Sequence, residues 1–259
     1  MKNLITEENL LEEYEGSNPF CKTPELLILM KEAVLKVGEQ FMSDFLMPIM
    51  NQLFKPSVEL ICENYDSFVE FRIPLTEFMS SLVNNAFRSI TEFPIEAITM
   101  FENTIEWGCR HPNVDICKGN IELLQNLFTK VENKAPQAFK NQFYGAFYSS
   151  AVDTMFEVLT DTIHKYAFVE ECKFIHRLFG MQIEQKDVDA IAELLYKRFP
   201  NREIQFYSMF VQKLFQLVNS YPEFKELLRD FLVEVRQVSK EDPDFYVEER
   251  NELLKINSQ

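Results

Sequence analysis

The side chains best suited to chemistry are few. Three histidines and five cysteines occur in 259 residues. Two short runs bring them near one another, Cys109, His111 and Cys117, and His164, Cys172 and His176. Cys172 and His176 stand four apart and would share one helix face, as two ligands of one zinc ion require. Zinc wants three or four ligands, however, and His164 joins only if the chain between Tyr166 and Val169 turns back. A buried thiol beside a helix-surface imidazole is the simpler reading. The other run matches no usual zinc spacing, and Pro112 sets a helix boundary inside it. There is no GxSxG elbow, phosphate loop or GxGxxG. Carboxylates are plentiful, and all-helical enzymes that hold metals through DDxxD or ExxH clusters are one class to weigh. Here the acids come as adjacent pairs: Glu12 with Glu13, Glu170 with Glu171, Glu241 with Asp242, and Glu248 with Glu249. Neighbours in sequence point at different angles around a helix, so these pairs read as solvated faces. No residue is assigned a catalytic, metal-binding or cofactor-binding role, no cofactor is expected, and the residues favour a binding scaffold over an enzyme.

The elements that would position such a surface are helical. The chain is 46% hydrophobic and 14% aromatic, with 25 phenylalanines and only six glycines, too few for the turns of many short strands. A formal net charge of -15 repels phosphate backbones, which argues against nucleic acid and for a basic protein partner. The odd, scattered cysteines give no disulfide framework and fit reduced thiols in an intracellular protein. The N-terminus, MKNLITEENLLEEYEG, lacks a signal peptide's basic head and apolar middle. The most apolar long run, FYGAFYSSAVDTMFEVL, carries Asp153 and Glu157 and reads as a buried helix, so no membrane span is expected.

Spacing locates the helices. From Ile204, the residues Tyr207, Phe210, Val211, Leu214, Phe215 and Val218 alternate steps of three and four, with Asn201 as the expected N-cap. Phe224, Leu227, Leu228, Phe231, Leu232, Val235 and Val238 repeat the pattern behind Ser220 and Pro222. Further stripes run through Val188, Ile191, Ala192, Leu195 and Phe199, and through Leu123, Leu124, Leu127, Phe128 and Val131. Trp107, on the helix of Ile98, Phe101 and Ile105, fits either a core or a groove wall. Pro48, Pro94 and Pro136 mark apparent helix starts; 94 minus 48 is 46 and 136 minus 94 is 42. A two-helix HEAT-type repeat has a period of roughly 40 to 47 residues. Spacing alone leaves a solenoid of tandem antiparallel hairpins and a compact bundle both open.

One stretch carries more. FKELLRDFLVEVRQVSKEDPDFYVEER, ending at Arg250, resembles the C-terminal end of the exportin-one family, the chromosome-region-maintenance receptors for leucine-rich nuclear export signals within the karyopherin-beta superfamily. The matching positions are Phe224, Lys225, Glu226, Leu228, Arg229, Asp230, Phe231, Leu232 and Val233, then Glu241, Asp242, Asp244, Phe245, Glu248, Glu249 and Arg250. VLTDTIH, Val158 to His164, is similar to a second family stretch, and LLQNLFTKVENKAPQAFKNQFY is more weakly similar to a third. The likeness extends from about Tyr14 to Leu254. The chain departs from the family at FVEFR, Phe68 to Arg72, and at Lys240, where the family has glycine.

This resemblance implies an all-α solenoid of HEAT repeats, with residues 1–259 as one continuous array, roughly the last five of about twenty repeats, and 244–259 as the start of a C-terminal helix. It implies a non-enzymatic receptor that shuttles between nucleus and cytoplasm. The expected partners are the Ran GTPase in its GTP form, export-signal cargo bound by the full-length receptor, and nuclear pore proteins, without nucleic acid or membrane. The family's cargo groove and its reactive cysteine lie in central repeats, so none of the five cysteines inherits that role. The late repeats are expected to touch Ran, with no contacting residue assigned. The family's C-terminal helix biases the free receptor towards low cargo affinity.

Overall fold

The computed structural model describes residues 10–38, 45–62, 66–181, 185–236 and 239–256. All regular elements among them are helices. The chain falls into two compact units, Met1–Phe143 and Tyr144–Gln259.

In the first unit, α1 (Leu10–Gly16) and α2 (Glu25–Val37) precede a helical stretch in which a π-turn, Met50–Phe54, leads into α3 (Lys55–Ile61). Gly38 closes α2 at φ 66, a left-handed conformation that costs glycine little, and its N–H returns to the Val34 carbonyl. Then follow α4 (Arg72–Asn85), α5 (Phe87–Ile90), α6 (Ile95–Cys109) and α7 (Val114–Lys134). Pro94 stands at the cap of α6 in extended conformation. Asn113 caps α7, its side-chain oxygen accepting from Asp115 and Ile116 N–H. Pro136 precedes α8 (Gln137–Thr160) as its spacing predicts. Pro48 differs: it lies within helical residues 45–49 rather than at a helix start.

The second unit holds the rest of α8, a 3-10 turn (Thr162–Ala167), α9 (Phe168–Gly180), α10 (Gln185–Arg198), α11 (Ile204–Gln216), α12 (Tyr221–Arg236), a second 3-10 turn (Pro243–Tyr246) and α13 (Val247–Ile256). Asn201 does not cap α11; Glu203 occupies that position without a side-chain cap bond. The buried Tyr207 hydroxyl claims Asn201 Oδ1 instead, at 3.1 Å. Val238 lies outside the described residues.

Helix pairs α6 with α7, α10 with α11 and α11 with α12 pack as sequence neighbours, while α2 packs on α4 and α4 on α7. The tandem character is written into the polar contacts. Lys31 binds Glu77 across 46 residues, Asn120 binds Thr76 across 44, and Asn126 binds Asn84 across 42. In the second unit Arg198 binds Asp153 across 45, and His176 meets the Val218 carbonyl across 42. Each spacing falls within the period of a HEAT-type repeat, so within each unit equivalent helices of successive hairpins lie side by side.

Phenylalanine dominates the cores. Phe156 meets Phe179, Phe210 and Phe231, and the Phe210 and Phe231 rings stack with centroids 4.2 Å apart. Where α6 crosses α7 the Gly108 backbone lies so close to the Asn120 side chain that a Cβ there would sit 2.3 Å from Asn120 Cγ. Among the described residues no helix is long and apolar enough to cross a membrane.

Candidate functional site

The second unit concentrates buried cations at one place. On α12 the apolar stripe reads as the sequence predicts, with Phe224, Leu228, Phe231 and Leu232 buried. Lys225 and Arg229, one turn apart, are also buried, 6% and 4% exposed. Cations in so little water need counter-charge. It comes from α13. Lys225 Nζ lies 2.8 Å from Glu248 Oε2 and 2.9 Å from Glu249 Oε1. Arg229 Nη2 donates to Glu249 Oε1 at 2.7 Å, its Nη1 reaches Glu226 at 2.9 Å, and its Nε donates to the Phe245 carbonyl at 3.0 Å. Lys173 of α9 binds the other oxygen of Glu248 at 2.8 Å.

The turn that leads into α13 is fastened in the same way. Asp242 caps it by accepting from the Asp244 N–H. Lys165 bridges Asp242 and Asp244 at 3.5 and 3.3 Å. Phe245 is buried against Phe168, ring centroids 4.8 Å apart. The Arg229 guanidinium sits 4.2 Å from the Tyr246 ring centroid, within cation–π range. The two best-matched motifs of the sequence therefore meet here. VLTDTIH ends α8, and its Asp161 caps the 3-10 turn that carries Lys165 into the FKELLRDFL and DPDFYVEER contacts. The family departure at Lys240 joins in, bridging Glu226 at 3.0 Å and Asp230 at 2.7 Å.

The charges respond to one another. Burial pushes the Glu249 carboxyl up, but hydrogen bonds from Arg229 and Lys225 outweigh it and hold its pKa at about 2. Glu248 is also lowered, burial again opposing and Lys173 and Lys225 prevailing. Burial works to lower Lys225 and Arg229, yet Glu248 and Glu249 leave Lys225 raised and Glu249 and Glu226 leave Arg229 raised. The cluster is charged across the neutral range and can do no proton transfer. Its chemistry is that of a latch, in which a short C-terminal helix is held by ion pairs over one buried ring.

This corrects the reading of the acid pairs as solvated faces. Glu12 and Glu13 are exposed, but Glu248 and Glu249 are ion-paired to the core and Glu171 is buried at 1%. For Glu248 and Glu249 the reason is that α12 and α9 bring cations to them from elsewhere in the chain. The sequence carried a signal for this, cations at i and i+4 inside an apolar stripe with two adjacent acids following the proline break, and periodicity within one helix does not read it.

The other candidates do not assemble. His176 Nε2 lies 2.9 Å from the Val218 carbonyl with its ring between Tyr221 and Phe224, whereas His164 Nδ1 lies 3.4 Å from Asp161 and Cys172 is fully buried. His111 Nδ1 accepts from the Asn113 N–H, and Trp107, half-buried, meets the His111 ring edge-on. Burial raises the Cys109 and Cys172 thiols well above their ordinary value, which suits inert packing. Among the described residues no group of three His, Cys, Asp or Glu side chains could hold a metal ion.

Residues 1–240 match the family model described as CRM1 C terminal. Protein EXPORTIN 1B of Arabidopsis thaliana is 24% identical over 93% of the chain, a region that is 24% of that protein. Exportin-1 of Schizosaccharomyces pombe is 23% identical over 95% of the chain and 25% of its own length. Exportin-1 of Drosophila melanogaster is 22% identical, over 91% and 23%. The chain spans about a quarter of the length of the relatives it matches.

Proposed function

Because the chain belongs to the CRM1 C-terminal family, we propose that it serves as the closing repeats of a nuclear export receptor and that α13 is its control element. In this reading residues 1–259 form one continuous HEAT array that carries no catalytic centre. The full-length receptor binds export-signal cargo together with Ran-GTP, meets nuclear pore proteins and shuttles between nucleus and cytoplasm. The acidic surface of this portion, net -15, suits a basic GTPase and would speed association more than it deepens affinity.

The observation that carries the reading is the latch. The residues that resemble the family's C-terminus are the same ones that fasten α13, Lys225 and Arg229 on one side and Glu248 and Glu249 on the other. A helix fastened by ion pairs exchanges between a docked and an undocked state, and a ligand that prefers one of them shifts the balance. If only the undocked state favours cargo, docking lowers apparent cargo affinity by the fraction of receptor it holds back, and a ligand specific for the undocked state restores it. The test is to measure Ran-GTP, Ran-GDP and export-signal peptide binding to the full-length receptor with and without Glu248→Lys and Glu249→Lys. Cargo binding that strengthens without Ran supports the reading, and a receptor that ignores both Ran-GTP and cargo refutes it.

A further inference from the structure

The cations under α13 raise a question that docking alone does not answer, namely what neutralises them when the helix leaves. Lys225 and Arg229 are 6% and 4% exposed. Those values hold with α13 in place; when it leaves, Arg229 keeps Glu226 of its own helix while Lys225 loses both Glu248 and Glu249, so the uncovered face is receptive to another anion. The fastening segment itself shows what fits. Phe245 enters beside Phe168, and Glu248 and Glu249 follow at i+3 and i+4, placing one aromatic ring and two carboxylates on a single helix face. Among the described side chains of α13, Leu253 and Leu254 are 61% and 62% exposed and add little to that ring. Its ion pairs to Lys173, Lys225 and Arg229 are the part of its hold that is open to competition.

We propose that the face formed by Lys173, Lys225, Arg229 and Phe168 is a docking site for a partner's acidic helical peptide, one that places an aromatic residue three positions before a carboxylate pair and displaces Pro243–Ile256. The mode is a helix laid in a groove with charge as the main discriminant. In a chain of net charge -15 this face is a cationic island, which selects acidic segments and rejects basic ones. The inference rests on the reading of α13 as a releasable latch.

The probe is a fluorescent peptide with the sequence of residues 242–256, titrated against the full chain and against the full chain carrying Glu248→Gln and Glu249→Gln, with amide exchange of α13 followed in both. The variant is expected to lose protection in α13 and to bind the peptide about tenfold more tightly than the parent, because its internal competitor is weakened. A peptide with Phe245→Ala, or with both glutamates changed to glutamine, should bind at least about tenfold more weakly, and Lys173→Ala in the chain should weaken the parent peptide. If α13 loses protection and the peptide still does not bind, the inference is overturned while the latch reading stands. If α13 stays protected in the variant, both fall. If the variant instead dimerises and the peptide cannot dissolve the dimer, the occupant is a second copy and the partner-peptide proposal is wrong.

Discussion

Two pairs of glutamates, one in each unit, have opposite fates. On α6, Glu102 is fully buried and Glu106 is 4% exposed one turn on. Burial first, and then the neighbouring Glu106 charge, push the Glu102 carboxyl well above the usual range. Arg110 lies 3.5 Å from Glu106, but its pull on Glu102 is weaker than the burial and the Glu106 charge that raise it. On α13, Glu248 and Glu249 meet Lys173, Lys225 and Arg229, and both are lowered. The same side chain is kept neutral in one place and charged in the other. What decides is whether hydrogen-bonded cations outweigh burial, as they do at Glu249, or burial and a like charge outweigh the cation, as at Glu102. The first arrangement is a core that holds a proton, and the second is a fastening that can open.

The largest test of this contrast removes a cation. Arg229→Ala leaves Glu226, Glu249 and the Phe245 carbonyl without their shared donor, and is expected to weaken α13 docking by about 3 kcal/mol. Amide exchange should rise over residues 243–256 and change little in the first unit. Next, Gly108→Ala should destabilise the first unit by about 2 kcal/mol in urea unfolding, because the added Cβ meets the side chain of Asn120. Asn120 cannot move freely, since it donates to the Ile116 carbonyl and to Thr76. That result would mark the α6–α7 contact as fixed where the latch is exchangeable.

The pH dependences then run in opposite directions. Glu102 has a raised folded pKa, so its contribution is fully present below the ordinary value of 4.5 and is lost as pH rises towards the elevated folded value. Glu102→Gln should flatten that decline and add about 1 kcal/mol at neutral to alkaline pH, read from unfolding midpoints. Glu249 has a lowered folded pKa, so docking is fully supported above 4.5 and is lost as pH falls towards about 2. Exchange of α13 measured across that acid window checks it. The smallest effect is from salt: shortening the screening length from about 10 to about 3 Å between 0.1 and 1 M should loosen α13 by less than about 1 kcal/mol. The Glu102 site should not respond.

Much of the fold was legible because each helix buries its own stripe. The spacings through Phe224, Leu228, Phe231 and Leu232, and through Leu123, Leu124, Leu127 and Phe128, are those of buried residues. The repeat period was legible from Pro94 and Pro136 for the same local reason. The site was less so. Lys225, Arg229, Glu248 and Glu249 all stand at positions that match the family, yet their pairing depends on two helices meeting, which no single periodicity encodes. Glu102 was equally hidden, for a stripe's width is set by its neighbours. Asn201 does not cap α11 because that helix begins two residues later than its position would serve, with Glu203 at the cap.

The polar ties that join equivalent helices across 42 to 46 residues bear on how the chain is made. A hairpin finds its partners in the next hairpin, so its folding waits only for that one to leave the ribosome. Closing such short loops costs little more than closing a turn or two of helix would suggest, since the entropy grows only with the logarithm of length. Synthesis and folding can thus advance together, layer by layer within each unit, with little apolar surface left waiting for a distant strand of sequence.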